Sequence, residues 1–205
     1  MTALPNRDRR AERREDTRRE ILDAAWAVAR QDGLENVTLR AVAERVGMRA
    51  PSLYSHFESK NAIYDAMFGQ AWSEYLDQIE DLDASLPAAP RKALLFMLQT
   101  FVDFCTADLP RFQLMNLRVV TGFAPSPEAY APSLRVMELF RRRAAALGAP
   151  NDEDVDLLAA AVGGLVDAQW SNDPGGTRYI RLLPRAIDAL ADDLGLPGPK
   201  LRRKR

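Results

Sequence analysis

Apolar residues recur at helical intervals along nearly the whole chain, and no stretch alternates apolar and polar residues as a strand would. This spacing predicts an all-α fold of about nine helices. The 205 residues are 47% hydrophobic and 28% charged, a balance that is typical of globular proteins. The composition therefore excludes a disordered, a collagen-like and a membrane-spanning chain.

Proline and glycine clusters separate the predicted helices from one another. The helices are expected at about residues 17–31, 38–46, 51–56, 60–82, 91–107, 110–121, 128–147, 152–172 and 177–194. Gly33 is expected to end the first helix in the left-handed conformation. Pro184 lies inside the ninth predicted helix, where a proline is expected to produce a kink.

Residues 38–57 show the pattern of two short helices joined by a tight turn. Thr38 is a good N-cap for the first of these helices, and Gly47 permits the turn. Leu53 and Phe57 are spaced to anchor the second helix to a core. Together with the longer helix in front of them, the two short helices form a predicted helix-turn-helix that leaves polar side chains pointing outward.

This motif resembles that of the TetR family of bacterial transcription regulators. The matching residues are Thr38, Val42, Ala43, Gly47, Leu53, Tyr54, His56, Phe57 and Lys60. The resemblance is strong over residues 17–65, and the rest of the chain resembles the family's variable regulatory domain. The expected domains are a flexible charged arm (1–16), a helix-turn-helix DNA-binding domain (17–65), a regulatory ligand-binding and dimerisation domain (66–195) and a basic tail (196–205).

The resemblance places contacts with double-stranded DNA on Arg40, Ser52, Tyr54, His56 and Lys60, and the Thr38 hydroxyl also suits a phosphate oxygen. Arg49 departs from the family, in which many members have a serine or threonine there that caps the recognition helix. An arginine does not cap, but it binds phosphate or guanine, so Arg49 is a further expected DNA contact. His56 equally fits a packing role, and Arg40 a solvated surface charge.

The net charge of −1 hides an uneven distribution, because residues 1–68 carry +1, residues 69–195 carry −7 and residues 196–205 carry +5. The arginines between Arg7 and Arg19 are mixed with acidic residues, and both a solvated arm and a DNA contact fit them. The same two alternatives hold for the basic tail. DNA binding is therefore expected to depend on basic residues at particular positions of the helix-turn-helix domain and not on a high net positive charge.

The helix predicted at 91–107 is apolar on nearly every side and is expected at the centre of the C-terminal half. The methionines and aromatic residues around it suit an adaptable cavity and equally suit an ordinary core. The resemblance implies a small, mainly apolar effector between the fourth and seventh helices, and drugs, lipids, acyl thioesters and aromatic metabolites all remain open. The candidate ligand-binding residues are Trp72, Phe96, Thr100, Phe104, Met115, Arg118 and Phe140.

Small residues lie on one side of the predicted eighth helix, where glycine costs stability unless close packing recovers it. A close helix–helix contact is therefore expected through Ala160, Gly163, Gly164 and Asp167. The resemblance implies that the last two helices form a homodimer interface. A symmetric dimer presents its recognition helices to half-sites about 34–36 Å apart, so a pseudo-palindromic operator is expected.

Several function classes are excluded by residue type. With one cysteine, Cys105, and one histidine, His56, no catalytic constellation and no cysteine-built or paired-histidine metal site can be assembled, so neither an enzyme nor a cofactor is expected. No signal peptide and no membrane span are expected, which predicts a cytoplasmic protein without membrane contact. The leading hypothesis is a ligand-responsive repressor, and the alternative is a ligand-sequestering or protein-binding helical module without operator binding.

Overall fold

The computed structural model describes residues 9–149 and 151–199. Within these residues it contains nine α-helices and no strand, which confirms the predicted all-α fold. The helices are α1 (Arg9–Asp32), α2 (Leu39–Val46), α3 (Ala50–Leu53), α4 (Lys60–Ile79), α5 (Pro90–Thr106), α6 (Leu109–Asn116), α7 (Pro127–Leu147), α8 (Asp152–Asn172) and α9 (Leu183–Asp193). Short 3-10 helices lie at Leu34–Asn36, Leu82–Ser85 and Ile180–Leu182.

Helices α1 to α3 form an N-terminal head around a small apolar core. Thr38 caps α2, because its Oγ1 accepts a hydrogen bond from the Ala41 N–H at 3.1 Å. Gly47 ends α2 in the left-handed conformation, with φ 76° and ψ 23°, which a residue with a side chain rarely adopts. Leu53 is fully buried and Phe57 is 2% exposed, so both anchor the second half of the motif as predicted.

Helix α4 joins the head to the C-terminal half. Ser59 caps it by accepting a hydrogen bond from the Ala62 N–H at 3.1 Å. Tyr64, in its second turn, is buried and donates a hydrogen bond to the Leu34 carbonyl, and burial raises its pKa to about 12. One apolar core continues from α1 through α4 to α7, so it crosses the predicted domain boundary at residue 65 without a break.

Helix α7 packs along α4 at close range. A Cβ on Gly69 would lie 3.3 Å from the Cα of Ala129, so the glycine permits this approach. Asp65 of α4 accepts hydrogen bonds from the backbone N–H and the hydroxyl of Ser126, at 2.6 and 2.7 Å. Because Ser126 is the N-cap of α7, these bonds tie the start of α7 to α4.

Helix α5 lies against α8 and α9 in a second apolar core, which confirms its predicted central place. Arg91, at its start, is 7% exposed; its Nη2 lies 2.7 Å from Asp192 Oδ1 and its Nε donates to the Leu196 carbonyl at 3.1 Å. Within the described ranges no single helix is long and apolar enough to cross a membrane, and α5 and α6, which together meet that measure, are bent by 115°.

The first helix is longer than predicted. It begins at Arg9, so the prediction of a flexible arm is wrong for residues 9–16, while residues 1–8 lie outside the described residues. Residues 9–16 are mostly arginine, glutamate and alanine, which favour helix. Gly33 follows the helix with φ 95° and ψ 158°; the positive φ favours glycine, but the ψ angle lies outside the predicted αL conformation.

Other boundaries also differ from the predictions. Helix α6 ends at Asn116, so residues 117–121 belong to a loop instead of a helix. Helix α9 begins at Leu183, which places Pro184 in the first turn, where its missing N–H has no helical partner to lose. The predicted kink is therefore wrong. Of the predicted basic tail, residues 200–205 lie outside the described residues.

Candidate nucleic-acid interface and ligand cavity

Helix α3 and the turn that follows it present the polar side chains of the motif. Leu53 and Phe57 point into the core, and Ser52 and Tyr54 are left exposed, Tyr54 by 55%. Hydroxyl and phenol groups of this kind bind phosphate oxygens and base edges. The segment therefore places two hydrogen-bonding side chains on a firmly anchored outer surface.

The other predicted contact residues surround this segment. Thr38, Arg40 and Arg49 are exposed, and His56 and Lys60 are half-buried. Thr38 uses its oxygen as the α2 cap, but its O–H hydrogen is still available to a phosphate. Arg49 stands at the N-cap of α3, and its side chain makes no capping hydrogen bond, as the sequence predicts.

Lys60 and His56 already make contacts inside the chain. The Lys60 Nζ donates to the Glu35 carbonyl at 3.0 Å and lies 5.2 Å from the centre of the Tyr64 ring. Because an ammonium group has three donors, Lys60 can still bind a phosphate oxygen. The His56 Nδ1 is buried and has no hydrogen-bond partner among the described residues, which agrees with the packing alternative for this side chain.

Two arginines of α1 hold the end of the recognition segment, which consists of helix α3 and the turn that follows it (residues 50–57). The sequence did not reveal these contacts. Arg18 Nη1 donates to the His56 carbonyl at 2.5 Å, and its guanidinium carbon lies 4.2 Å from the centre of the Phe57 ring. Arg14 Nη2 donates to the Ser55 carbonyl at 3.4 Å. The four-residue spacing of Arg14 and Arg18 on one helix face was the available signal.

A cavity of about 150 Å³ lies between α4, α5, α7 and α8. Three of the predicted ligand-binding residues line it, namely Trp72, Thr100 and Phe140. The prediction missed other lining residues, among them Tyr75, Met97, Phe101 and Arg143. Burial raises the pKa of the Tyr75 phenol, so this hydroxyl stays protonated in the cavity wall at neutral pH.

The other four predicted ligand-binding residues lie outside this lining. Phe96 of α5 is 37% exposed. Phe104 packs its ring 5.0 Å from that of Tyr75, and Met115 is buried in the core shared with α1 and α4. Arg118 is exposed in the loop that follows the early end of α6. These four side chains therefore do not line the cavity that Trp72 lines, and a role for them in ligand binding stays a prediction.

Arg143 connects the cavity wall to the end of α4. The side chain is 4% exposed; its Nε donates to Asp83 Oδ1 at 2.6 Å, and its Nη2 donates to the Ile79 carbonyl at 2.8 Å. The hydrogen bond from Arg143 holds the pKa of the Asp83 carboxyl below its usual value. The positive charge is thus balanced by one carboxylate and by a carbonyl at the negative end of the α4 dipole.

The predicted dimer residues of α8 lie on two different sides of the helix. Ala160, Gly164 and Asp167 are exposed, and Leu157 beside them is 44% exposed. Gly163 lines the cavity instead. A Cβ added at either glycine would meet no atom within 4 Å in the described part of the chain. The close packing predicted for the small residues is therefore not made within one chain.

The lone cysteine is buried in the apolar core around α5. Burial raises the pKa of the Cys105 thiol to about 12, so it is protonated at neutral pH. Among the described residues, no group of three or more histidine, cysteine, aspartate or glutamate side chains could hold a metal ion. Cys105 thus belongs to the packing of the C-terminal half.

Residues 21–67 match the family described as "Bacterial regulatory proteins, tetR family". The transcriptional repressor KstR of Mycobacterium tuberculosis is 35% identical to this chain over 88 residues, 43% of this chain and 40% of KstR. The tetracycline repressor protein class D of Escherichia coli is 29% identical over 113 residues, 55% of this chain and 48% of that repressor. The chain thus spans about half the length of these relatives or less.

A solved structure of the regulatory protein SCO4313 is similar in fold, with a TM-score of 0.72 at 18% sequence identity over 92% of this chain and 100% of that one. The matched family and the relatives confirm, for the helix-turn-helix part of the chain, the resemblance predicted from the motif. Residues 21–67 therefore form a DNA-binding domain of the TetR family, and the chain as a whole is similar to bacterial transcriptional regulators of that family.

Proposed function

We propose that this protein is a ligand-responsive repressor that binds a pseudo-palindromic operator as a homodimer and is released from it by a small, mainly apolar effector. The observation that carries the proposal is the recognition segment, where exposed Ser52 and Tyr54 stand beside the buried anchors Leu53 and Phe57. Such a segment enters the major groove with its outward side chains towards the DNA.

The charges around this segment support contact with the phosphate backbone. Arg40 and Arg49 are exposed and Lys60 is half-buried beside the segment. Phosphate contacts set the register of the head, and base contacts from Ser52 and Arg40 or Arg49 supply discrimination. Since the head carries a net charge of only +1 over residues 1–68, nonspecific binding is expected to be weak and specific binding to depend on geometry.

The exposed face of α8 supports the homodimer. Ala160 and Gly164 expose little beyond backbone, and Leu157 adds an exposed apolar side chain. A second copy related by a two-fold axis would bury the same face on both chains. Its two recognition segments would then lie at half-sites about 34–36 Å apart.

The cavity provides the switch, because α4 connects it with the head. Trp72 and Tyr75 of α4 line the cavity, while the start of the same helix is buried in the head core through Tyr64. An effector that binds one position of α4 more tightly shifts the population towards that position and changes the spacing of the recognition segments. The energy for the shift comes only from this difference in affinity.

Replacing Tyr54 with alanine tests the proposal at the DNA. The side chain is 55% exposed, so its loss should leave the fold intact, while loss of its hydrogen bond weakens operator binding about tenfold. The measurement is an electrophoretic shift at fixed salt, with an operator fragment recovered from random DNA. Tyr130, 45% exposed on α7, gives the matched control Tyr130→Ala, which should bind as the wild type does.

Equal affinity of Tyr54→Ala and the wild type would contradict the assignment of this residue. If no DNA fragment shifts with the wild-type protein at low salt, the proposed function fails. The ligand-sequestering or protein-binding module is then the better description of the chain.

Arg18→Met is expected to weaken operator binding without removing a phosphate contact. The guanidinium is occupied by the His56 carbonyl and the Phe57 ring, so its loss loosens the recognition segment, and affinity should fall about tenfold. The slope of log affinity against log salt should stay unchanged. In the control Lys60→Met, the slope should decrease by about 1. A decrease of this size in Arg18→Met would show that Arg18 binds phosphate directly.

A further inference from the structure

The first turns of α1 project beyond the apolar core of the head. The buried residues of this helix begin at Ile21, and none of residues 9–20 is buried. Because a helix rises about 1.5 Å per residue, about 18 Å of α1 precede the core. Apolar packing therefore does not determine which side chains these turns carry.

Arginines occupy the inner side of these projecting turns. They follow one another at intervals of four residues, the spacing of neighbours on one side of a helix: Arg10, Arg14 and Arg18. Ile21 comes three residues after Arg18, and it continues the same side of the helix into the core. The side of α1 that is apolar inside the head is thus basic beyond it, and these three arginines form its basic face.

Three of the four acidic side chains among residues 9–20 lie on another side of the helix. Glu12, Asp16 and Glu20 repeat at the same interval, two residues after the arginines. Two residues correspond to about 200° of rotation about the helix axis, so these carboxylates lie nearly opposite to the basic face. The fourth, Glu15, lies between the two sides. The helix therefore separates the mixed charges of the sequence into a basic and an acidic side.

The contacts of Arg14 and Arg18 place the basic face beside the recognition segment. Both guanidinium groups donate to main-chain carbonyls at the end of this segment, those of Ser55 and His56. Both arginines also line one groove together with Tyr54, a proposed DNA contact. In the described part of the chain, neither arginine forms an ion pair with a carboxylate. Their positive charges are therefore not neutralised by direct pairing.

The acidic residues of this groove lie on its other walls. Asp65 belongs to α4 and is bonded to Ser126, Glu128 belongs to α7, and Glu58 belongs to the turn before α4. An anion deep in the groove would meet these carboxylates, and like charges repel. A phosphate group is therefore favoured at the edge of the groove, where α1 projects.

We propose that Arg10 and Arg14 bind the phosphate backbone of DNA beside the base pairs that the recognition segment contacts. The inference rests on the proposed function, because it needs the recognition segment on DNA. A guanidinium group has five N–H donors in a planar fork that matches phosphate oxygens, so Arg14 keeps donors beside its bond to Ser55. Arg10 lies one turn further from the core, about 6 Å along the axis.

Such contacts strengthen the binding of any DNA sequence, because the backbone carries no sequence information. They also explain how a head with a net charge of only +1 over residues 1–68 holds DNA: the acidic residues that lower its net charge lie mostly on the side of α1 that faces away from the recognition segment.

Arg10→Gln in the full-length chain tests the proposal. Arg10 is exposed and glutamine favours helix about as well as arginine, so circular dichroism should show the helix content of the wild type. The slope of log affinity against log salt, measured by electrophoretic shift, should decrease by about 1 for each chain bound. This decrease is expected for an operator fragment and for random DNA alike.

Two matched variants separate a phosphate contact from a general effect of charge. Arg19→Gln removes the same charge nine residues later, on the opposite side of α1, where Arg19 pairs with Asp16 at 3.3 Å. Its slope should equal that of the wild type. Arg10→Lys keeps the charge, so it should keep the slope even where the loss of the planar fork lowers the affinity.

An unchanged slope in Arg10→Gln, or an equal decrease in Arg19→Gln, would overturn the proposal. A decrease on the operator fragment without one on random DNA would assign Arg10 to base contacts and would overturn it as well. If the wild type shifts no DNA at low salt, the proposed function itself fails. If the wild type binds and Arg10→Gln keeps its slope, only this inference fails.

Discussion

Phe57→Ala is expected to reduce the free energy of unfolding by about 3–5 kcal/mol, the usual cost of removing a buried phenyl ring. Phe57 is 2% exposed in the head core, and the Arg18 guanidinium lies 4.2 Å from the centre of its ring. The substitution leaves a cavity under the recognition segment and removes the surface on which Arg18 rests. Because the head core continues into α4 and α7, the loss should appear in the unfolding of the whole chain.

Urea denaturation followed by circular dichroism measures this effect, with a lower midpoint and an unchanged slope as the expected result. The matched control is Phe96→Ala, since Phe96 is 37% exposed on α5 and should cost much less. A loss below about 1 kcal/mol for Phe57→Ala would show that the head tolerates the cavity. Phe57 would then lose its role as anchor of the motif.

Gly164→Arg is expected to weaken the homodimer by at least about a hundredfold, which corresponds to about 2.7 kcal/mol. Gly164 is exposed and its surroundings within the chain are open, so a long side chain does not disturb the single chain. Across a two-fold axis, however, the substitution occurs twice and places two like charges in one close contact. Operator affinity should fall with the dimer.

Sedimentation at several protein concentrations measures the association directly. Ala131→Arg is the matched control, because Ala131 is exposed on α7 and outside the proposed interface. Gly164→Ala is a second check on the space around Gly164. Alanine favours helix over glycine by up to about 1 kcal/mol when it meets no neighbour, so the free energy of unfolding of a single chain should rise by up to this amount. If Gly164→Arg associates as the wild type does, the dimer uses another surface.

Local chemistry explains which parts of the head could be predicted from the sequence. The caps at Thr38 and Ser59 and the turn at Gly47 depend on a few neighbouring residues, and each is present in the structure. The bonds from Arg14 and Arg18 to residues 55 and 56 depend on how α1 crosses the motif. No local sequence pattern predicts how two helices cross. The mixed charges of residues 9–16 also favoured the prediction of a flexible arm, which is wrong for these residues.

The ligand cavity could be predicted only in part, because hydrophobic spacing defines the faces of a helix but not which turns of a face reach the cavity. On α5, Thr100 lines the cavity, whereas Phe96, one turn earlier on the same side, is 37% exposed and does not line it. Arg118 was expected on α6, but that helix ends at Asn116, five residues before its predicted end, so Arg118 lies in the following loop. Arg143 has no local signal, because the carbonyl at the end of α4 that accepts its hydrogen bond belongs to the tertiary structure.

Selection of DNA fragments from a random pool by the full-length protein tests the central claim most directly. The predicted result is one enriched pseudo-palindromic sequence, with half-site centres about 34–36 Å apart, which Tyr54→Ala binds more weakly and Gly164→Arg fails to enrich. A pool without enrichment, or an enriched sequence without two-fold symmetry that both variants bind as the wild type does, would contradict it.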